Sequence, residues 1–167
     1  LAAIEYSPIA VVGFGYRSLS DPLDGFGLLT TTSARLPVLG VLWDSSIFPD
    51  RAPAGCKSVR VMIGGQRNPE LPGLAESDIG ALAHAEHRAL LGAREEPLFQ
   101  AVTRWPRAIP QYTLGHLGRV ARAEAAAAAL PGLSFCASWK GGVSVGDCIK
   151  NAHAEADAVA ARLRART

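Results

Sequence analysis

Cysteine is scarce in this 167-residue chain: Cys56, Cys136 and Cys148 are the only three, and no two stand in C-x-x-C spacing. An odd, scattered count argues against a disulfide framework and fits a reducing compartment or plain burial. Excess charge of either sign is also lacking, with 17 Lys and Arg against 15 Asp and Glu. A formal charge of +2 is too small to define a nucleic-acid surface, so no nucleic-acid partner is expected. The cluster Arg162, Arg164 and Arg166 reads as a solvated helix end that complements the helix dipole. No apolar run approaches the roughly 18–20 residues of a membrane helix, and the opening does not read as a signal peptide.

What is present is the material of a packed core. Hydrophobic residues make up 49% of the chain and charged residues 19%, a globular balance sufficient for one domain or part of a larger one. Leu1 stands directly before strand-like sequence, which suggests a piece of something longer. Four apolar runs bounded by turn residues, 9–16, 25–31, 38–43 and 58–65, predict strands. With only short turns between them they form a largely antiparallel sheet. The segment "ESDIGALAHAEHRALLG" predicts a helix capped by Ser77 and ended by Gly92. "PLFQAVTRW" predicts another strand, and "RWPRAIPQYTLGH" an ordered, extended connection. "LGRVARAEAAAAALPG" predicts a second helix, with its alanines as helix filler. "LSFCA" reads as a short buried strand. The last helix carries Ile149, Ala152, Ala156, Val159, Ala160 and Leu163 along one stripe, which predicts packing against neighbours. The fold class is α+β, with no internal repeat.

Several motifs hint at chemistry. Gly142-Val143-Ser144-Val145-Gly146 spells G-x-S-x-G between a predicted strand and a predicted helix, as in a nucleophile elbow. That fold needs an acid and a histidine on later strands, and only 23 residues of apparent helix follow Ser144. The same glycine turn has a second use: the free N–H groups of a helix N-terminus can face a carbonyl or oxyanion. "GFGYRS" has dinucleotide-loop glycines but no helix after them, so they read as strand glycines. His84 and His87 stand three apart without a third ligand, and read as an exposed helix face. His116 and His153 are lone histidines, and Asp44 reads as a cap on a strand or turn. No residue is assigned a catalytic acid–base or metal-binding role.

Taken together, "SPIAVVGFGY", "LDGFGLL", "LGVLWDSSIFPDRAP", "RVMIGG", "RWPRAIPQYTLGH" and "GGVSVGDCIKNA" resemble the C-terminal part of the oxygen-dependent protoporphyrinogen oxidases, flavoproteins of the amine-oxidase-like superfamily. The resemblance implies FAD as cofactor, O2 as electron acceptor, and oxidation of protoporphyrinogen IX to protoporphyrin IX in heme synthesis. It implies a bacterial-type protein working in the cytoplasm or at the periphery of the cytoplasmic membrane. Residues 1–112 would belong to a substrate domain, and residues 113–167 would complete an FAD domain through a terminal strand, turn and helix. Phe26, Leu29, Leu42, Met62 and Ile63 would contact the macrocycle. Ser138, Val143, Ser144 and Val145 would lie against the flavin, Ser144 acting through its N–H. The family's diphosphate-binding glycine loop, its propionate-binding arginine and its membrane-associating segment have no counterpart in these 167 residues. The chain alone is therefore expected to hold no FAD, to be inactive without the missing N-terminal part, and to self-associate through bare apolar surface. Two readings from other classes stay open: a non-catalytic fragment that binds a porphyrin or another flat ligand, and a serine hydrolase.

Overall fold

A computed structural model describes residues 2–165. The chain divides into two compact units, one of Ser7–Ala108 and one of Leu1–Tyr6 with Ile109–Thr167.

The first unit is built on a five-stranded sheet with one long helix against a face of it. Strands β1 (Tyr6–Tyr16), β2 (Gly27–Leu29), β3 (Val38–Leu42), β4 (Lys57–Gly64) and β5 (Phe99–Pro110) lie in the order β2-β3-β4-β1-β5. The pairs β1–β4, β2–β3 and β3–β4 are antiparallel, as expected of strands joined by short turns. Alternation in β1 and β4 sends Ala10, Val12, Phe14 and Tyr16, with Val59, Val61 and Ile63, to one face. There they meet Val38, Val41, Leu23 and the inner side of helix α2 (Glu76–Leu91), at Ile79 and Ala83. These side chains exclude water almost completely and form the core.

The helix and strand boundaries differ from expectation in instructive places. Helix α2 starts after Ala75, which gives no side-chain cap, so Ser77 lies inside the first turn; Gly92 does end it, in the left-handed region. His87 belongs to the core rather than to an exposed face. It is fully buried, stacks on Phe14 and Tyr16, and has Nδ1 3.1 Å from the Tyr16 hydroxyl. Burial pushes the His87 pKa down to about 4, helped by neighbouring His84, and pushes the Tyr16 hydroxyl above its ordinary value. Strand β5 runs on to Pro110 instead of ending near Trp105. An edge strand tolerates Pro106 and Pro110 because one side of it has no ladder to lose. A short helix α1 (Asp44–Ile47) follows β3, so Asp44 opens a helical turn.

The second unit holds helix α3 (His116–Ala128), helix α4 (Val145–Arg164) and the loop between them. Residues 133–137, read as a strand, form none. A strand needs a ladder partner, and none among the described residues pairs with them. The stripe on α4 is not packed away either: the helix has no buried residue, and Ile149 and Leu163 are both more than half exposed. A helix stripe becomes core only when something covers it. No helix among the described residues is long and apolar enough to cross a membrane.

Candidate functional site

Face assignment in the sheet follows from register. Leu29 lies opposite Gly40, Gly40 opposite Met62, and Met62 opposite Val11. Leu42 lies opposite Arg60, and Arg60 opposite Gly13. Leu29, Leu42 and Met62 therefore share the face opposite α2, together with Val11, Arg60, Gly13 and Gly40. Leu29 is 76% exposed on it, and Leu42 and Met62 are half-buried. A Cβ built on Gly13 would meet nothing within 4 Å, so the floor beside Met62 is bare backbone.

The other two apolar candidates lie elsewhere. Ile63 follows Met62 on a regular strand and so points to the opposite side, where it is fully buried in the core. Phe26 lies just before β2 between two glycines of positive φ, Gly25 and Gly27, and is 74% exposed. Its carbonyl accepts from the Trp43 N–H, 2.9 Å away, which fixes the chain where the strand begins.

Arg60 is the residue that reading by motif passes over. Its Nε lies 2.7 and 2.9 Å from the two carboxylate oxygens of Asp44, and Nη2 also donates to Oδ1. Asp44 is thus an ion-pair partner and not only a turn former. Strand parity carries the signal: Arg60 and Met62 are two apart, so one faces wherever the other does. Where β1 ends and β4 begins, a cavity of about 330 Å³ opens, lined by Gly15, Ser58, Pro53, Cys56, Leu98 and Phe99, with Arg51 and Lys57 also in its lining.

In the second unit, the turn before α4 is held from several sides. The Tyr112 hydroxyl donates to the Ser138 carbonyl at 2.8 Å and accepts the Gly142 N–H at 3.1 Å. The Tyr112 ring stacks on His116, whose Nε2 lies 2.8 Å from the Trp139 carbonyl oxygen. Lys140 forms an ion pair with Glu124 at 2.8 Å, a hydrogen bond that raises the lysine pKa, and its carbonyl accepts from Asn151. So the spacing from Tyr112 to His116 anchors residues 138–142. Gly141 and Gly142 turn the chain at φ 82° and 129°, and a Cβ on Gly142 would collide with the Asp147 side chain.

Ser144 then caps α4. Its Oγ accepts the Asp147 N–H at 3.0 Å and donates to the Asp147 carboxylate at 2.7 Å. The hydroxyl is held by a carboxylate and a backbone amide, not by an imidazole, so it lacks the general base a nucleophilic serine needs. His153 sits exposed on α4 itself. Val143 and Val145 are 49% and 78% exposed beside the cap. Since Ser144 Oγ takes only the Asp147 amide, the N–H groups of Val145 and Gly146 in the first turn are left for an outside acceptor. The Asp147 carboxylate at the same turn disfavours a fully charged anion such as a phosphate and tolerates a neutral carbonyl. Among the described residues no group of three or more His, Cys, Asp or Glu could hold a metal ion.

No family model matches the chain. Individual proteins do. It is 33% identical over 171 residues to the chloroplastic protoporphyrinogen oxidase of Nicotiana tabacum, covering 95% of this chain and 31% of that protein. With the Homo sapiens protoporphyrinogen oxidase it shares 37% identity over 159 residues, covering 90% of this chain and 33% of that one. The chain is related to the protoporphyrinogen oxidases. It spans about a third of the length of the relatives it matches. Solved structures agree on the fold. An Exiguobacterium sp. 255-15 protein assigned as a protoporphyrinogen oxidase superposes with a TM-score of 0.82 over 95% of this chain and 35% of its own, at 20% identity. Reduced UDP-galactopyranose mutase superposes with a TM-score of 0.62 over 77% of this chain and 27% of its own, at 15% identity.

Proposed function

We propose that this chain supplies one wall of a tetrapyrrole site and one face of a flavin site in an FAD-dependent enzyme that converts protoporphyrinogen IX to protoporphyrin IX, with O2 as the electron acceptor. The sheet of the first unit would serve the substrate, and residues 113–167, braced by Tyr112, the cofactor. The observation that carries the reading is the shared open face of Leu29, Leu42 and Met62 around the bare Gly13 backbone, in a chain related to protoporphyrinogen oxidases. A flat, apolar macrocycle gains most from a flat, apolar floor, because burial there removes large areas from water at little entropic cost. Phe26, exposed at the start of β2, would cover one rim. Ile63 supports the wall from the core behind it.

FAD supplies the electron-accepting ring when bound. Toward that ring this chain offers the turn at residues 141–144 and the free amides of Val145 and Gly146, which suit a ring carbonyl that gains negative charge on reduction. Val143 and Val145 would shield it from water, and Ser138 would border it. Asp147 keeps the cap rigid. Nothing in these elements would grip a diphosphate, so the isolated chain is expected to lack a bound flavin. Purified protein with less than about one-tenth equivalent of flavin absorbance near 450 nm is the expected result; a stoichiometric yellow protein overturns that expectation.

Binding of the macrocycle is tested by quenching of protoporphyrin IX fluorescence on titration with the chain. Gly13→Val is expected to weaken that binding at least about tenfold while changing stability by less than about 1 kcal/mol, since its Cβ would enter open space in a strand that favours branched residues. Equal binding by the wild type and Gly13→Val would remove this face from the reading.

A further inference from the structure

Resting on that reading, we propose that Arg60 is the residue of this chain that recognises a carboxylate of the macrocycle and so fixes which edge of the ring enters first. The guanidinium lies on the same face as Leu42 and Met62: Leu42 is its cross-strand neighbour on β3, and Met62 is two positions along β4. Its other cross-strand neighbour is Gly13, whose missing side chain leaves open space directly beside it. Two of its three nitrogens, Nε and Nη2, are taken by Asp44, and Nη1 has no hydrogen-bond partner among the described residues.

This division of labour suits a specificity group. Asp44 is only 13% exposed and opens helix α1, so it holds the guanidinium plane in one orientation without further ordering cost. The unused Nη1 donors can then meet a second carboxylate, and a charge-assisted bond of that kind is directional as well as strong. Arg60 remains 42% exposed, so an incoming group needs no rearrangement to reach it. The apolar wall supplies the area and the arginine supplies the orientation. Propionate side chains are the carboxylates that protoporphyrin IX carries at one edge of an otherwise apolar ring.

The experiment compares two ligands that differ only in that charge, protoporphyrin IX and its dimethyl ester, titrated by fluorescence into the full 167-residue chain in one dilute nonionic detergent. The wild type is expected to bind the diacid about tenfold or more tightly than the ester. Arg60→Met combined with Asp44→Asn, a pair that leaves no unpaired carboxylate on the face, is expected to lose that preference; the readout is the ratio of diacid to ester affinity, which a change that weakens both ligands alike does not move. Arg60→Lys, which keeps the charge but loses the bidentate hold by Asp44, is expected to keep only part of the preference. If diacid and ester bind the wild type equally, or the Arg60→Met, Asp44→Asn variant keeps the preference, this proposal is wrong and the wall survives. If neither ligand binds the wild type, the tetrapyrrole wall itself is wrong, and the proposal goes with it.

Discussion

Gly27→Ala is expected to destabilise the sheet by about 3–5 kcal/mol, the sum of backbone strain and overpacking at one position. Gly27 has φ 142°, a conformation that residues with a Cβ rarely adopt. The new methyl would also run into the carbonyl oxygen of Val41 and come within 2.9 Å of the Leu42 Cα, both backbone atoms of the neighbouring strand. Neither can move without breaking the β2–β3 register, in which Gly27 faces Leu42. Against a usual total of about 5–15 kcal/mol, such a loss would leave β2 detached or the unit largely unfolded. Guanidinium denaturation followed by far-ultraviolet circular dichroism measures it. Gly55→Ala is the control: its φ is also positive, at 79°, but its Cβ would meet nothing within 4 Å, so only the strain of about 1 kcal/mol applies. Equal, small effects at both positions would mean that β2 does not pair as described.

The second large effect is on acid stability, through His87. The imidazole is enclosed by Phe14, Tyr16 and the rest of α2's inner face, and Nε2 has no partner among the described residues. Nδ1 shares one hydrogen bond with the Tyr16 hydroxyl, and the neutral ring carries no charge into this apolar setting. Protonating it places an unpaired positive charge in the core. The folded pKa of about 4 lies below the ordinary 6.5, so between those values the unfolded chain binds the proton and the folded chain resists it. His87 therefore contributes its full share of stability above about pH 6.5, and that share is lost as the pH falls toward 4. Over this window the loss is on the order of 2–3 kcal/mol. Charges nearby modulate it: His84 opposes protonation, and Asp21 and Glu95 favour it. Denaturation midpoints at pH 7, 5.5 and 4 should fall steadily in the wild type. His87→Leu should flatten most of that slope, leaving the part due to carboxylates; an unchanged slope would mean that His87 does not carry the effect.

Much of this was legible in order along the chain. Val, Ile and aromatic runs between turn residues announced β1 to β4, because a strand's pattern is local and its turns are short. Helix α4 and its start at Ser144 were legible for the same reason: a capping serine, glycines before it and an apolar period after it all lie within a few residues. The fate of single side chains was less accessible. His87 and His84 look alike in sequence, and only the docking of α2 on β1 put one of them in the core. Met62 and Ile63 look alike as apolar neighbours, yet one faces the open side and the other the interior. The failures share a cause. Residues 133–137 and the α4 stripe carry the patterns of a paired strand and a packed helix, and pattern specifies what an element can bury, not what is there to bury it.

By itself, then, the sequence determined the strand and helix content, the glycine turn before α4, and kinship with the protoporphyrinogen oxidases, since these depend on neighbours in the chain. Tertiary structure alone decided that Arg60 is tethered to Asp44 beside the bare Gly13, that Tyr112 braces the Ser138 turn, and that Ser144 spends its hydroxyl on Asp147. Each of those depends on residues separated in sequence meeting at hydrogen-bond or ladder distance. Such meetings are fixed by which face each strand buries and which helix lies against it, and those are properties of the packed whole.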